Sequence, residues 1–338
     1  MGGSEPRDQS AKQLADSPQT LPRSRRWLAF GLSLAVAAGL LAFLFSKIPL
    51  THVLAAVSTV KVPHLAGVFA LSLVMQLVLA ERLVLVAGEQ CIHVSFGRAL
   101  EINLSSRFYG LFLPGGNLSR GALRAYKLAR SSGDAQGSLA SILFDRLIAT
   151  VALGLVGQFF WILERLRGTT PVGLAFLGMW AVPTGLYLLA QHGRLGGLLL
   201  PWRGSGLLAG QLTRVGESLR RFSDMRAATL LLILAASVAV HLLSALIYYT
   251  LASTLQIEIS LLSMAWVSTA TTFLTMLPIS PSGLGVREGA LVYLLGLYGA
   301  PGAAALALSL LIFAFNTLLI GLVGGITEAR SWLSDSER

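Results

Sequence analysis

The sequence predicts an all-α polytopic membrane protein, and three observations carry that reading. Of 338 residues, 54% are hydrophobic and 12% charged, about half the charged share of an average soluble domain. Mean hydropathy is +0.70. The apolar residues gather in blocks of about 20, the length that crosses a bilayer core as a helix. Helices are required because lipid cannot satisfy free backbone donors and acceptors.

Residues 1–26 are polar and aperiodic, and are expected to be a disordered cytoplasmic tail ending in a basic stop. "WLAFGLSLAVAAGLLAFLF" (27–45) is longer than a signal-peptide apolar region and reads as an uncleaved first span. Further spans are expected at 63–80, 139–163, 171–190, 227–252 and 303–325. Two apolar stretches behave differently: 99–113 ends at "LPGGN", 261–277 ends at "LPISPSGLG", and each resumes as a second short helix. Both read as re-entrant hairpins, giving six full spans and two hairpins, or eight spans if the hairpins cross. The membrane domain is then 27–326, with half-repeats 27–163 and 171–326, followed by a cytoplasmic tail at 327–338. Residues 203–226 set five arginines among Leu, Val and Phe, and read either as an amphipathic surface helix or as a basic loop.

Basic residues orient these elements. Segments 1–26, 81–138, 191–226 and 327–338 hold 20 of the 26 lysines and arginines, against four in 46–62, 164–170 and 253–260 together. Arg146 and Arg287 fall inside apolar segments. The bias predicts an integral plasma (inner) membrane protein with both termini cytoplasmic. Glu81–Arg82 and Glu164–Arg165 sit at expected span ends, where charges are solvated or snorkel.

Several chemistries are excluded. The single cysteine, Cys91, allows no internal disulfide, and the five histidines never fall four apart, so neither a metal site nor a cofactor is expected. The net charge of +10 flanks apolar runs, which points to lipid and orientation rather than nucleic acid. "GLGVREG" has the wrong glycine spacing for a dinucleotide loop and follows an apolar helix. No catalytic residue emerges, and transport would have to be passive or ion-coupled, with Asp145 and Glu288 as candidate proton carriers.

"LPGGNLSRGALRAYKL" (113–128) and "LPISPSGLGVREGALVYLL" (277–295) share an order of features: Leu-Pro, a glycine turn, an arginine, Gly-Ala-Leu and a tyrosine. Each follows two expected spans and precedes one, so three spans per half would invert the second half in the membrane. Interrupted segments at matching places in inverted halves point to a transport site near the midplane. Pro114, Gly115, Gly116, Pro278, Pro281, Gly283, Gly285 and Gly289 are the expected broken-helix turns. The half-helix N-termini beyond them present N–H groups to an anion. Arg120, Arg124 and Arg287 are the candidate phosphate contacts, with Tyr126, Ser280, Asp145, Arg146, Glu288 and Asn316 beside them. Alternatives stand for each: Arg120, Arg124, Lys127 and Arg130 as a snorkelling basic run, Arg287–Glu288 as a structural ion pair, Asp145 and Arg146 as cross-helix pairing groups, and Asn316 as interhelical glue.

"FYGLFLPGGNLSRGALRAYKLARSSG", "FDRLIA" and "LPISPSGLGVREGALV" resemble the signature regions of the flippase-like integral membrane family related to the transmembrane domain of lysylphosphatidylglycerol synthase. The resemblance spans 27–326. It implies a lipid-handling membrane domain, associated in the family with moving lipid between leaflets and with lipid- or sugar-modifying enzymes. Its motifs fall on Pro114, Gly115, Gly116, Arg120, Tyr126, Asp145, Arg146, Pro278, Ser280, Gly283, Gly285, Arg287, Glu288 and Gly289. Pro281–Ser282 replaces the small or glycine pair of many relatives, which stiffens this turn. The sequence ends 12 residues past the membrane domain, so the aminoacyl-transferase module of the synthases is not expected. The leading expectation is a flippase-like transporter, not an enzyme, that moves or binds an anionic or phosphate-bearing lipid. The other is a non-catalytic membrane partner of a separate lipid-modifying enzyme or glycosyltransferase.

Overall fold

The computed structural model describes residues 35, 38–112, 117–168, 219, 221–276, 280 and 283–336. The expected elements at 1–26 and 171–190, most of 203–226, and the turn residues Pro114, Gly115, Gly116, Pro278 and Pro281 lie outside them. Among the described residues all regular structure is helical. In chain order the helices are α1 (Ala38–Lys47), α2 (Leu50–Ser58), α3 (Val62–Gly88), α4 (Phe96–Phe112), α5 (Asn117–Ser132), α6 (Ala135–Leu166), α7 (Ala227–Thr254), α8 (Leu261–Met276), α9 (Val286–Gly296), α10 (Gly302–Ile312) and α11 (Ile320–Ser336). A π-helical segment, Phe313–Leu319, joins the last two.

Local chemistry explains the boundaries. Pro63 opens α3 where its missing N–H matters least. Asp134 caps α6 by accepting from the backbone N–H groups of Gln136 and Gly137 at 3.1 and 2.8 Å. Gly283 and Gly285 take φ of +72° and +81° immediately before α9, a turn that only glycine makes without strain. Gly289, expected at that turn, instead lies one turn inside α9.

Four helices among the described residues are long and apolar enough to cross a membrane: α3, α6, α7 and the continuous run Gly302–Arg330; α1 and α2, bent by 84°, make a fifth if counted as one span. The segment 46–62, between the spans expected at 27–45 and 63–80, therefore holds α2, which packs on α10. α3 runs to Gly88 rather than 80, carrying Arg82 inside the bundle. α11 continues through 327–336, expected as a tail.

A long helix, two short ones and another long one occur twice, as α3–α4–α5–α6 and as α7–α8–α9–α10/α11. The packing repeats with them. Within each unit the first helix packs on the second, the second on the third, the third on the fourth, and the first on the fourth. Between units, α3 packs on α7, α4 on α11, and α8 on α6, so exchanging the units reproduces the contacts. The largest apolar cluster surrounds Trp266, whose indole N–H donates to the Tyr298 hydroxyl at 2.7 Å. Where α4 meets α11 the backbones nearly touch, because Gly321, Gly324 and Gly325 present no side chains to Leu111, Leu104 and Phe108.

Candidate functional site

The two sets of short helices converge on one cavity of about 300 Å³. α3 contributes Gln76 and Arg82, α4 contributes Asn103, Ser106 and Arg107, and α5 contributes Arg120 and Arg124. α6 adds Asp145 and Arg146, α7 adds His241 and Tyr248, α8 adds Thr272 and Thr275, α9 adds Arg287, and the π-helical segment adds Asn316. Six arginines thus face one carboxylate among the described lining residues.

Helix register places these side chains. Arg120 and Arg124 are four apart on α5 and share its cavity face. Gly110 makes room for the first of them: a Cβ there would lie 2.2 Å from Arg120 Cγ. The Asp145 Oδ1 accepts from Arg82 Nε at 2.7 Å and its Oδ2 from Arg124 Nη1 at 2.9 Å, a carboxylate clamped between two guanidinium groups. Arg82 Nη1 donates onward to the Ser237 hydroxyl at 3.1 Å. Nε and Nη2 of Arg124 are buried and have no hydrogen-bond partner among the described residues. Arg107 Nη1 donates to the Asn316 main-chain carbonyl at 2.9 Å. That carbonyl belongs to the π-helical segment, whose winding departs from the regular α-helical ladder.

On the opposite side, Arg287 Nη2 reaches Glu288 Oε1 at 2.5 Å and its Nε reaches the Ser309 hydroxyl at 3.0 Å, while that hydroxyl donates to Glu288 Oε1 at 2.9 Å. The other Glu288 oxygen accepts the Gly285 backbone N–H at 2.6 Å, closing the first turn of α9. Arg287 also sits over the Phe313 ring, 5.1 Å from its centre. Arg287 and Glu288 are therefore a structural ion pair, and Arg287 also borders the cavity. Both oxygens of Asp145 and both of Glu288 accept hydrogen bonds.

Arg120, Arg124, Asp145, Arg146, Arg287 and Asn316, all expected site residues, line this one cavity. Glu288 lies behind it, fully buried. Tyr126 points away and is 61% exposed. Lys127 pairs with Glu328 of α11, which also accepts from the Tyr109 hydroxyl at 3.2 Å. Ser280 is described, but its neighbours in the turn are not.

Arg82 and Glu164 correct the expectation of solvated span ends. Arg82 is 3% exposed and lines the cavity; Glu164, at 2%, accepts the Ser263 hydroxyl at 2.7 Å. Their partners Glu81 and Arg165 do face outward. Arg107, Gln76 and His241 carried no motif. The available signal for Arg107 was a charge placed in the middle of the apolar stretch 99–113. No group of three or more His, Cys, Asp or Glu residues suited to a metal ion occurs among the described residues.

A comparison with curated proteins gives no match. A family model described as the Lysylphosphatidylglycerol synthase TM region matches residues 30–324, which include the first unit, the second as far as the start of α11, and every residue of the cavity. On that match over most of its length, this integral membrane chain belongs to the lysylphosphatidylglycerol synthase TM region family.

Proposed function

We propose that the protein binds the phosphate-bearing headgroup of an anionic lipid in the arginine cavity and passes it between leaflets, as a flippase-like carrier without catalysis of its own. The observation that carries this reading is the convergence of six arginines from both units on one cavity. An arginine at bilayer depth costs roughly 2.5–3.5 kcal/mol on insertion scales, so a cluster of six is retained where anions or water meet it. A headgroup held there leaves its acyl chains free to stay in lipid. In this reading α4–α5 and α8–α9 are re-entrant hairpins, entering from opposite faces of an inner membrane, and the exchangeable packing of the units reflects an inverted repeat. With both termini cytoplasmic, alternating access is a rocking of one unit against the other about the α3–α7 contact.

The test is movement of lipid by the purified chain. Vesicles of phosphatidylcholine with trace fluorescent phosphatidylglycerol are treated with dithionite, which bleaches only the outer leaflet. Protein-free vesicles keep about half their signal, whereas reconstituted protein should take the loss well past half. Bleaching equal to the protein-free control, from folded and reconstituted protein, would remove the transport reading.

A further inference from the structure

Part of the cavity wall is polar without being charged. Gln76 on α3 and Asn103 on α4 both line the cavity and are only 1% and 6% exposed. The Oε1 of Gln76 and the Nδ2 of Asn103 have no hydrogen-bond partner among the described residues. The same holds for the Oδ1 of Asn316, which lines the cavity from the π-helical segment. The three residues come from three elements that all pack on one another. A buried amide atom left unpaired carries its full desolvation cost, so three of them in one cavity mark a place where a ligand or water supplies the partners.

The atoms themselves define the partner. Two accept and one donates, so the group that meets them must both give and take hydrogen bonds. A hydroxyl does both, and it answers an amide whichever way the amide is turned. An ammonium only donates, and here it would lie near a guanidinium of like charge. Arg107 stands between two of the amides: Asn103 is one helical turn before it on α4, and its Nη1 donates to the main-chain carbonyl of Asn316 at 2.9 Å. Ser106, on the same face of α4, adds a hydroxyl to the wall. Neutral groups flanking a guanidinium are the complement of a phosphate esterified to a hydroxylated group.

Size and number narrow that group. The cavity, about 300 Å³, equals roughly ten waters' share of the liquid, more than a phosphate alone fills. Three amides on three elements outnumber the two free hydroxyls of a glycerol headgroup. A sugar or cyclitol ring carries more hydroxyls and holds them in fixed directions, so it loses less rotamer freedom on binding.

We infer that Gln76, Asn103 and Asn316 form an uncharged subsite that takes the hydroxyl groups of a sugar or cyclitol esterified to the lipid phosphate. This rests on the proposed function above, and it names the headgroup class: the arginines take the phosphodiester and the amides take the ring.

The experiment measures binding to the full-length protein in zwitterionic nanodiscs, with phosphatidylinositol, phosphatidylglycerol, phosphatidylethanol and free inositol 1-phosphate as probes. The three lipids are phosphodiesters with one negative charge each, and they differ in the hydroxyls of the headgroup. Phosphatidylinositol should bind about tenfold tighter than phosphatidylethanol, the factor that one or two buried hydrogen bonds supply, with phosphatidylglycerol between them. Gln76→Met and Asn103→Leu replace each amide with an apolar group of similar size and should reduce that preference severalfold. Neither should lower the melting temperature of the unliganded protein, because an unpaired amide adds nothing to the empty fold. An amide that served only the fold would do the opposite, lowering the melting temperature and leaving the ratio alone. The comparison of lipids on the natural protein stands even if a variant folds poorly.

Equal affinity for phosphatidylinositol and phosphatidylethanol would overturn the subsite while leaving a general anionic-lipid carrier standing. A ratio unchanged in both variants would assign the amides to water and overturn it as well. Phosphatidylglycerol bound as tightly as phosphatidylinositol would overturn the ring. Inositol 1-phosphate competing at the concentrations of phosphatidylinositol would make the ligand a free sugar or cyclitol phosphate and overturn the lipid assignment. Binding of none of the three lipids would remove both this inference and the function it rests on.

Discussion

Arg82 and Asp145, 63 positions apart in the chain, form a buried ion pair with Nε 2.7 Å from Oδ1 and side-chain exposures of 4% and 1%. The pair ties α3 to α6, and Arg124 on the other carboxylate oxygen ties both to α5. One carboxylate thus fixes three elements of the first unit around the cavity.

Removing that carboxylate leaves two guanidinium groups facing each other at depth. Breaking a buried pair by deleting one partner costs about 3–5 kcal/mol, so Asp145→Asn should lower stability by that order. Arg82→Gln should cost less, because Arg124 still neutralises Asp145. Melting temperatures in a single detergent rank the two; an Asp145→Asn protein as stable as the parent would mean that the carboxylate is not the organising group.

A second prediction concerns the α4–α11 crossing. A Cβ on Gly324 would lie 2.0 Å from the Leu104 carbonyl oxygen, and backbone cannot step aside as a flexible side chain does. Gly324→Ala should therefore force the helices apart and destabilise by about 1–3 kcal/mol, outweighing the gain in helix propensity. Gly289→Ala is the control: nothing lies within 4 Å of a Cβ there, and the change should be neutral or stabilise by up to ~1 kcal/mol. Thermal melting of both variants decides it, and equal effects would contradict the close crossing.

The contrast between Gly324 and Gly289 marks what the sequence revealed and what it hid. Apolar blocks, Leu-Pro breaks and glycine turns are local signals, and they located α6, α7, both short-helix pairs and the start of α3 within a few residues, but not the end of α3, eight residues further on. The arginines of 113–128 and 277–295 were found as a set because they repeat within one motif. Arg82 was assigned to a span end because hydropathy drops at Glu81, yet α3 continues for seven residues beyond it. Whether a charge snorkels or is buried depends on a partner 63 positions away, and no window contains that partner. Charge counting inherited the same error: of the seven basic residues in 81–138, Arg82, Arg107, Arg120 and Arg124 face the cavity and carry little orientation information.

A third prediction tests the outer brace of the first unit. Glu328 on α11 takes Lys127 from α5 and the Tyr109 hydroxyl from α4, with Lys127 also lying 5.7 Å from the centre of the Tyr109 ring. Glu328→Gln keeps the hydrogen bond from Tyr109 but strands the ammonium. The expected outcome is faster hydrogen exchange of α5 amides with little change in those of α8 and α9. Uniform acceleration throughout would instead mean global destabilisation.

The last prediction separates the two duties of Arg287. Glu288 is bonded on every side, to the Gly285 N–H, the Ser309 hydroxyl and Arg287, so Glu288→Gln, with one acceptor oxygen in place of two, cannot serve all three donors and leaves Arg287 buried beside an uncharged amide. That variant should be the least stable of the series, down by several kcal/mol. Arg287→Gln strands a carboxylate, but one still held by a backbone N–H and a hydroxyl, and should fall less. Replacing both removes the unpaired charge and should recover part of the loss in a double-mutant cycle. If the arginine served only this pair, the stable double variant would move lipid normally. If it also supplies charge to the cavity, the double variant should recover stability and not activity. Melting temperature and vesicle bleaching, measured on the same four proteins, separate the duties: full recovery of both in the double variant would assign Arg287 to structure alone, and recovery of stability without transport would place its charge at work on the headgroup.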